Sequence, residues 1–223
     1  MAESRNALQG NAIFPGMNIE ASGLSVERGG RAIFADLGFR LAAGEALVVS
    51  GANGAGKSTL LKAIAGLLPL AQGRITVSPA SEARLAELCH YVGHADAVKP
   101  SLTALENLSF LAALLATGAA RPGLAEVEDA LARLGLGEVA DLPCAYLSAG
   151  QKRRVALARL IVVGRPLWLL DEPLTALDAA AQIIALDIMA AHLAEGGLIV
   201  AATHAALPIA ARELALGGAR DAS

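Results

Sequence analysis

Residues 46–64 join a short apolar strand, a glycine-rich loop and the start of a helix, and this succession restricts the possible folds more than any other stretch. Its first part, "ALVVS", is apolar throughout, as in strands that are buried on both faces of a parallel sheet. The glycines of "GANGAGKST" then allow a tight loop whose backbone N–H groups point inward. Because the next helix begins at Lys57, a phosphate in this loop would meet the positive end of the helix dipole. The stretch predicts an α/β protein with a phosphate-binding loop.

The side chains of this loop match the needs of a magnesium nucleotide. Lys57 can reach the outer phosphates, Ser58 can hold Mg²⁺, and Thr59 can support the neighbouring phosphate. A glycine-rich turn without a ligand is the alternative, and the flanking strand and helix disfavour it. The predicted nucleotide-binding positions of the loop are Gly51, Ala52, Asn53, Gly54, Ala55, Gly56, Lys57, Ser58 and Thr59.

A pair of carboxylates follows a second apolar strand, in "PLWLLDEP" at residues 166–173. Asp171 ends the strand, where a parallel sheet places its ligands, and is predicted to reach Mg²⁺ through water. Glu172 points in a different direction, since successive strand side chains alternate, and is predicted to be the general base that polarises the attacking water. Solvated turn residues are the alternative for such a pair, but a phosphate-binding loop in the same chain favours hydrolysis.

Two histidines follow apolar strands and are predicted to act at the same site. His204 ends "LIVAATH", where it could donate a hydrogen bond to the terminal phosphate and hold the water in line with Glu172. A structural cap is the alternative for this histidine. His94 follows the strand predicted over 88–92 and lies at the hinge between the sheet and a helical region.

Strand and helix signals alternate along the chain, which is typical of α/β proteins. From 101 to 163 the signals are helical only, with Thr103 and Glu106 spaced for a capping box. We predict that this stretch is a helical subdomain inserted into the sheet domain. The predicted strands cover 19–26, 32–41, 46–50, 73–77, 88–92, 167–171 and 198–202.

A second anion site is predicted at "LSAGQKRR", residues 147–154. Ser148 is placed to cap a helix over 149–163, and a basic first turn follows it. The Ser148 hydroxyl and the first free N–H groups of this helix could therefore hold an anion. A capped helix without a ligand is the alternative. If two copies pack head to tail, this helix end of one copy covers the terminal phosphate held by the other, and ATP joins the two copies.

Composition excludes several classes of partner. The net charge of the 223 residues is −3, so the composition lacks the excess of positive charge that is typical of nucleic-acid-binding proteins. The apolar runs at 110–116 and 158–164 are shorter than the roughly 18 to 20 residues that cross a bilayer. Cys89 and Cys144 lack metal-ligand spacing and are predicted to be buried thiols in a reducing cytosol. Residues 1–16 lack a signal-peptide pattern and are expected to be loosely held.

The motifs "GANGAGKST", "LSAGQ", "LWLLDEP" and "TALD" with His204, in this order across residues 19–206, resemble the nucleotide-binding subunit of ATP-binding cassette (ABC) transporters. The resemblance implies an α/β fold: a P-loop NTPase sheet core, mostly parallel with an antiparallel N-terminal β part, and an inserted helical subdomain at about 95–163. The domain would span 17–213, with a tail at 214–223. It also implies a homodimer that hydrolyses ATP with Mg²⁺, bound to polytopic membrane subunits at the cytoplasmic face of the inner membrane.

By the same resemblance, further residues acquire roles toward ATP. Ser148, Gly150 and Gln151 form the signature that contacts the ATP of the other copy, Asp178 ends the loop that links the two sites, and His204 is the switch histidine. The family normally has a second glycine where Ala149 stands, and a helical φ tolerates the added methyl group.

Two departures from the family pattern narrow the resemblance. His94 stands where the family places a glutamine that senses Mg²⁺ and water, and Arg28 where an aromatic ring stacks on adenine; an arginine plane can also stack on a base. Together with "YVGHADAVKPSLTALENLSF" and the short chain, they resemble the ATP-binding subunit of the heme exporter used in cytochrome c maturation. Residues 94–110 would form the groove for a coupling helix of separate membrane subunits.

Four other kinds of ATPase carry the same motifs; the sequence disfavours two of them and leaves two as alternatives. A chromosome-maintenance ATPase needs coiled-coil arms, and about a hundred residues between Lys57 and Asp171 leave no room for them. A translation factor usually carries two cassettes, and the chain has one set of motifs. A soluble assembly ATPase, such as those serving iron–sulfur clusters, and a transporter of another solute both stay open.

Overall fold

The computed structural model describes residues 14, 16–81, 83–116, 122–204 and 207–217. Most of the N-terminal stretch that we expected to be loosely held lies outside these residues. Phe14 is described, and it is held: its N–H donates to the carbonyl of Glu195 at 3.1 Å, and its ring meets the ring of His192 edge-on at 5.5 Å.

The described part of the chain contains eight strands and six α-helices. In chain order these are β1 (Asn18–Arg28), β2 (Arg31–Leu41), β3 (Ala46–Ser50), α1 (Lys57–Ile64), β4 (Gln72–Ser78), α2 (Leu85–Leu88), β5 (Cys89–Val92), α3 (Ala104–Leu115), α4 (Leu124–Arg133), α5 (Ala149–Val162), β6 (Leu167–Asp171), α6 (Ala179–Ala194), β7 (Leu198–Ala202) and β8 (Ala211–Ala215). Short 3-10 turns cover Gly137–Val139 and Cys144–Tyr146. All seven strands expected from the sequence are present, with ends that shift by at most two residues.

The larger sheet is parallel throughout, with strand order β5-β6-β7-β3-β8. Every residue of β6 and β7 is buried, which explains why both strands are uniformly apolar in sequence. The smaller sheet is antiparallel with order β2-β1-β4. The prediction of a mostly parallel core with an antiparallel N-terminal part is therefore confirmed.

Two hydrophobic clusters cover opposite faces of the parallel sheet. Alternate residues of β6 belong to different clusters: Trp168 and Leu170 face one, and Leu167 and Leu169 face the other. The first cluster contains the buried apolar side chains of α3, α4 and α6 and most of those of α5. The second contains those of α1 and of the antiparallel sheet. The sheet thus holds the helical subdomain against one face and the phosphate-loop helix against the other.

The helices between β5 and β6 form the predicted subdomain, and the described residues of this stretch contain no strand. The expected capping box starts α3: the Thr103 hydroxyl accepts from Glu106 N at 3.0 Å, and the Glu106 carboxylate accepts from Thr103 N at 2.8 Å. Asn107 is buried behind it and bonds the carbonyls of Lys99, Leu102 and Thr103. These bonds tie α3 to the loop that leads out of the sheet.

Strand β8 was not predicted from the sequence. "ARELA" carries two charged side chains and is mostly exposed, because β8 lies at the edge of the sheet and pairs through its backbone with one strand, β3. The strand extends to Ala215, two residues past the domain end proposed at 213.

Both cysteines are buried free thiols, as expected. Among the described residues, no helix has the length and apolar character needed to span a bilayer.

Candidate active site

The glycine-rich loop connects β3 to α1 at the carboxyl edge of the parallel sheet. Gly51 and Gly56 have φ values of 142° and 99°, which side chains rarely adopt. A Cβ at Gly51 would lie 2.5 Å from the carbonyl oxygen of Leu216, and one at Gly56 would lie 2.6 Å from Ile33 Cγ2. At Gly56, the N-cap of α1, no described side chain accepts a hydrogen bond from the helix end. The unpaired N–H groups there can receive a phosphate.

Lys57 is buried, and its ammonium group is directed back into the loop. Nζ donates to the carbonyls of Gly51 at 2.8 Å and Ala52 at 3.1 Å, and it lies 2.9 Å from Nε2 of His204. Because an ammonium group has only donors, this contact is a hydrogen bond when Nε2 of His204 acts as the acceptor. The sequence predicted that both side chains serve the terminal phosphate, and the structure places them in direct contact.

Ser58 and Asp171 come together from two different elements. The Ser58 hydroxyl donates to Asp171 Oδ1 at 3.0 Å, and Asp171 is buried at the end of β6. A hydroxyl and a carboxylate are oxygen ligands of the kind Mg²⁺ uses when phosphates and water complete its shell. Among the described residues, no group of three or more His, Cys, Asp or Glu side chains could hold a metal ion.

Glu172 adopts a left-handed backbone, with φ of 50°, directly after Asp171. Its N–H donates to the carbonyl of Ala202 at 2.8 Å, which joins the turn to the end of β7. Its carboxylate accepts from Thr203 Oγ1 and from His204 N, each at 3.1 Å. A left-handed non-glycine residue costs roughly 1 to 3 kcal/mol, and such strain occurs often at functional sites. Here the carboxylate meets the two residues that follow β7.

One cavity of about 660 Å³ contains most of the predicted site residues. His94 and Arg28, the two residues that depart from the family pattern, both line it. Its lining consists of Arg28, Ile33, Asn53, Gly54, Gly56, Lys57, Ser58, Thr59, His94, Asp171, Glu172, Thr175 and His204. The side chains of the phosphate loop and of the strand ends that are predicted to serve phosphate, Mg²⁺ and water therefore share one cavity with Arg28, the residue predicted to stack on the base.

The predicted second anion site does not line this cavity. Ser148 caps α5 as expected, in a capping box whose partner is Gln151: the hydroxyl accepts from Gln151 N at 3.1 Å, and Gln151 Oε1 accepts from Ser148 N at 2.8 Å. In these two bonds both side chains act as acceptors, so the Ser148 O–H and the Gln151 amide N–H groups can still donate to an anion. Gly150 packs on the next loop, since a Cβ there would lie 2.8 Å from the carbonyl oxygen of Ala176.

The loop between β6 and α6 ends at Asp178, whose carboxylate caps α6 by accepting a hydrogen bond from Ala181 N at 2.8 Å. The basic turn after Ser148 differs from the expectation. Arg153 and Arg154 do not extend toward an anion, because their guanidinium groups bond carbonyl oxygens of the same chain.

Sequence reasoning missed three residues of the site. Thr203 supports Glu172, and its only signal is that it precedes His204. Tyr91 lies near Asp171, and burial together with this carboxylate raises the pKa of Tyr91 to about 12, so the phenol stays protonated. Arg153 is 3% exposed and reaches the carbonyls of both Asp171 and Glu172. Each of these residues is distant in sequence from the residue that it contacts, so no local sequence pattern predicts the contact.

The fold and the site together define a nucleotide-binding subunit of the ATP-binding cassette class. The sequence model of the family described as "ABC transporter" matches residues 34–175. In fold, the chain is similar to the dimeric ATP-binding cassette MJ0796, solved in a post-hydrolysis state with ADP and Pi, with a TM-score of 0.72 and 23% identity over 84% of this chain and 88% of that one.

Two curated relatives narrow the class. The chain is 56% identical over 204 residues to the cytochrome c biogenesis ATP-binding export protein CcmA of Rhodopseudomonas palustris strain BisB18, covering 91% of this chain and 100% of that protein. It is 53% identical over 192 residues to the protein of the same name from Bradyrhizobium diazoefficiens, covering 86% of this chain and 94% of that protein. The chain therefore belongs to the ABC transporter family and, within it, to the cytochrome c biogenesis ATP-binding export proteins. Proteins of this family are ATPases, and the chain is one.

Proposed function

We propose that this chain is the ATP-hydrolysing subunit of a membrane transporter that delivers heme for cytochrome c biogenesis, and that it works as a homodimer with two shared ATP sites. The observation that carries the hydrolytic part is the contact between Ser58 and Asp171 at 3.0 Å, with Glu172 next in the chain and in the same cavity. The names of the curated relatives support the export role in cytochrome c biogenesis.

The described side chains divide the hydrolytic work. The loop from Gly51 to Thr59 binds the phosphates of ATP. Ser58 and Asp171 would hold Mg²⁺, which would neutralise phosphate charge when bound. Glu172 takes a proton from the attacking water, while its bonds from Thr203 and His204 keep the carboxylate in position. A terminal phosphate competes for Lys57, which releases Nε2 of His204. The ring then needs its proton on Nε2 to donate to that phosphate.

The other half of each site would come from a second copy. Ser148, Gly150 and Gln151 lie at the start of α5 and outside the cavity that holds Lys57, so one chain alone does not surround the terminal phosphate. The Ser148 hydroxyl and the first N–H groups of α5 suit that phosphate when two copies face each other head to tail. Charge-assisted hydrogen bonds of this kind contribute about 1.5 to 3 kcal/mol each, so a few of them would hold the copies together until the phosphate is lost.

Separate polytopic membrane subunits would receive the motion at the segment from 94 to 110, on the cytoplasmic face of the inner membrane. This segment leads from the cavity into α3 and ends in exposed apolar surface: Phe110 is 49% exposed, and Leu114 one turn later is 66% exposed. Lys99 lies 4.5 Å over the Phe110 ring. An apolar patch with a cation beside it suits a short amphipathic helix of a membrane partner.

Trapping the closed dimer tests the shared site. Glu172→Gln should lower turnover by roughly 10²- to 10⁴-fold, as expected for loss of a general base, while ATP binding persists. Light scattering on this variant should then show dimers with Mg·ATP and monomers with Mg·ADP. Adding Ser148→Arg should abolish the ATP-dependent dimer and leave nucleotide binding intact. Near-normal turnover of Glu172→Gln would refute the general base, and an undisturbed dimer with Ser148→Arg would refute the shared site.

Purification from detergent-solubilised membranes tests the transport role. Recovery of the chain with polytopic membrane proteins would support a transporter. Recovery with soluble partners only would instead support an assembly ATPase, such as those that serve iron–sulfur clusters. A heme requirement for ATPase stimulation in the purified complex would separate heme delivery from transport of another solute.

A further inference from the structure

Arg153 is the most extensively bonded buried cation among the described residues. It lies in the second turn of α5, is 3% exposed, and uses all five of its N–H donors. Nη2 donates to the carbonyls of Asp171 at 2.7 Å and Glu172 at 2.8 Å. Nε donates to the carbonyl of Pro173 at 3.4 Å. One guanidinium group therefore holds three successive carbonyls of the turn that carries both catalytic carboxylates.

The remaining donors of Arg153 reach the loop that follows β5. Nη1 donates to the carbonyl of Gly93 at 2.7 Å and to Asp96 Oδ1 at 3.2 Å. These two residues flank His94. Asp96 is the one ionic partner of Arg153 in the described chain. The same side chain thus links the helix capped by Ser148, the turn at Glu172 and the loop at His94.

We propose that Arg153 is a positioning residue that couples the start of α5 to the hydrolytic groups of the same chain. The proposal rests on the shared site argued above, in which α5 meets the ATP held by the second copy. A shift of α5 on meeting that ATP moves the guanidinium group, and the guanidinium moves the backbone of Glu172 and the loop of His94. Each copy then hydrolyses its own ATP efficiently only when its α5 is engaged by the ATP of the other.

The backbone of Glu172 makes this coupling effective. Its left-handed φ of 50° is held from two sides, by Arg153 at its carbonyl and by the carbonyl of Ala202 at its N–H. A small rotation of this peptide redirects the carboxylate, which accepts bonds from Thr203 and His204 on a different strand. Within the described part of the chain, Arg153 forms no hydrogen bond with the phosphate loop and does not line its cavity, so ATP affinity itself should not depend on it.

Arg153→Lys is the test, with Arg154→Lys as its matched control. Lysine keeps the charge but has three donors at one point, so it cannot hold both the turn and the loop. Arg154 is the next residue of the same helix and also bonds two carbonyls, those of Leu134 and Gly135, but both belong to the helical subdomain. The two variants make the same chemical change in the same helix, and only the first loses contact with the hydrolytic turn.

Three quantities separate positioning from mere stability: the Kd of the non-hydrolysable analogue AMPPNP, kcat, and the Hill coefficient for ATP. Arg153→Lys should keep the Kd within about threefold, lower kcat about 10- to 100-fold, and reduce the Hill coefficient from about 2 toward 1. Arg154→Lys should keep all three near wild type. If Arg153→Lys retains the kcat and Hill coefficient of Arg154→Lys, or if its loss is in Kd, the proposal is wrong.

Further outcomes keep the two proposals distinguishable. If Arg153→Lys does not fold, Asp96→Asn removes its ionic partner at a site that is 23% exposed, and an unchanged kcat in that variant would overturn the proposal. If wild type itself shows a Hill coefficient near 1, the shared site fails. The kcat of Arg153→Lys at constant Kd then still decides whether Arg153 positions Glu172.

Discussion

Thr203→Val would show how far catalysis depends on the position of the Glu172 carboxylate. Thr203 is 6% exposed, and its hydroxyl donates to Glu172 Oε2 at 3.1 Å. Valine has nearly the same shape but lacks the hydroxyl, so the variant removes this bond with little change in packing. The second anchor of the carboxylate, the N–H of His204 at 3.1 Å, belongs to the backbone and remains.

The size of the effect follows from the bond that is lost. A hydrogen bond to a charged group contributes about 1.5 to 3 kcal/mol. If all of it is realised in the transition state, kcat falls about 10- to 150-fold, since each 1.36 kcal/mol is a factor of ten. Because one anchor remains, we expect the lower end of this range. Thr203 does not line the cavity, so the affinity for nucleotide should stay within about threefold of wild type.

Steady-state ATPase assays with nucleotide titrations give kcat and affinity for wild type, Thr203→Val and Thr203→Ser. The serine variant keeps a hydroxyl at the same position and should retain most of the activity. A valine variant as fast as wild type would show that the carboxylate needs no side-chain support. A serine variant as slow as the valine variant would trace the loss to packing instead of the hydrogen bond.

Three more predictions follow from packing, burial and exposure. Gly150→Ala should destabilise the fold by about 1 to 3 kcal/mol in urea unfolding, because its Cβ would lie 2.8 Å from the carbonyl of Ala176; an unchanged midpoint would contradict this contact. Burial lowers the pKa of His192 to about 4, so the unfolded chain binds a proton that the folded chain excludes, and stability should fall as pH drops from about 6.5 toward 4. This group contributes a slope of at most about 1.4 kcal/mol per pH unit to the free energy of unfolding. His192→Phe should reduce the pH dependence of stability, measured by urea unfolding between pH 7 and 5. Equal slopes for the variant and wild type would contradict this assignment. Phe110→Ser should reduce co-purification with membrane partners while the isolated chain keeps its ATPase activity, whereas Leu124→Ser, at 60% exposure on α4, should retain the partners.

Local signals in the sequence were enough for the elements that depend on neighbours in the chain. The phosphate loop is one strand, one turn and one helix in succession, and the caps at Thr103 and Ser148 close over three residues. Strands β6 and β7 are buried on both faces, and uniform hydrophobicity reports such burial directly. Strand β8 escaped prediction because an edge strand is stabilised by backbone pairing, which leaves its side chains free to be polar.

Contacts between distant segments account for the rest of the site. Residue types and strand ends were sufficient to assign Lys57, Asp171, Glu172 and His204 to one place, because parallel strands end at the same edge. The anchors of Glu172 were not predictable, since Thr203 lies 31 residues away in sequence. Hydrophobic periodicity reports whether a residue is buried, but it carries no information about which acceptor a buried donor meets. The two arginines of "KRR" look alike in sequence, and only packing sends one to the hydrolytic turn and the other to the helical subdomain.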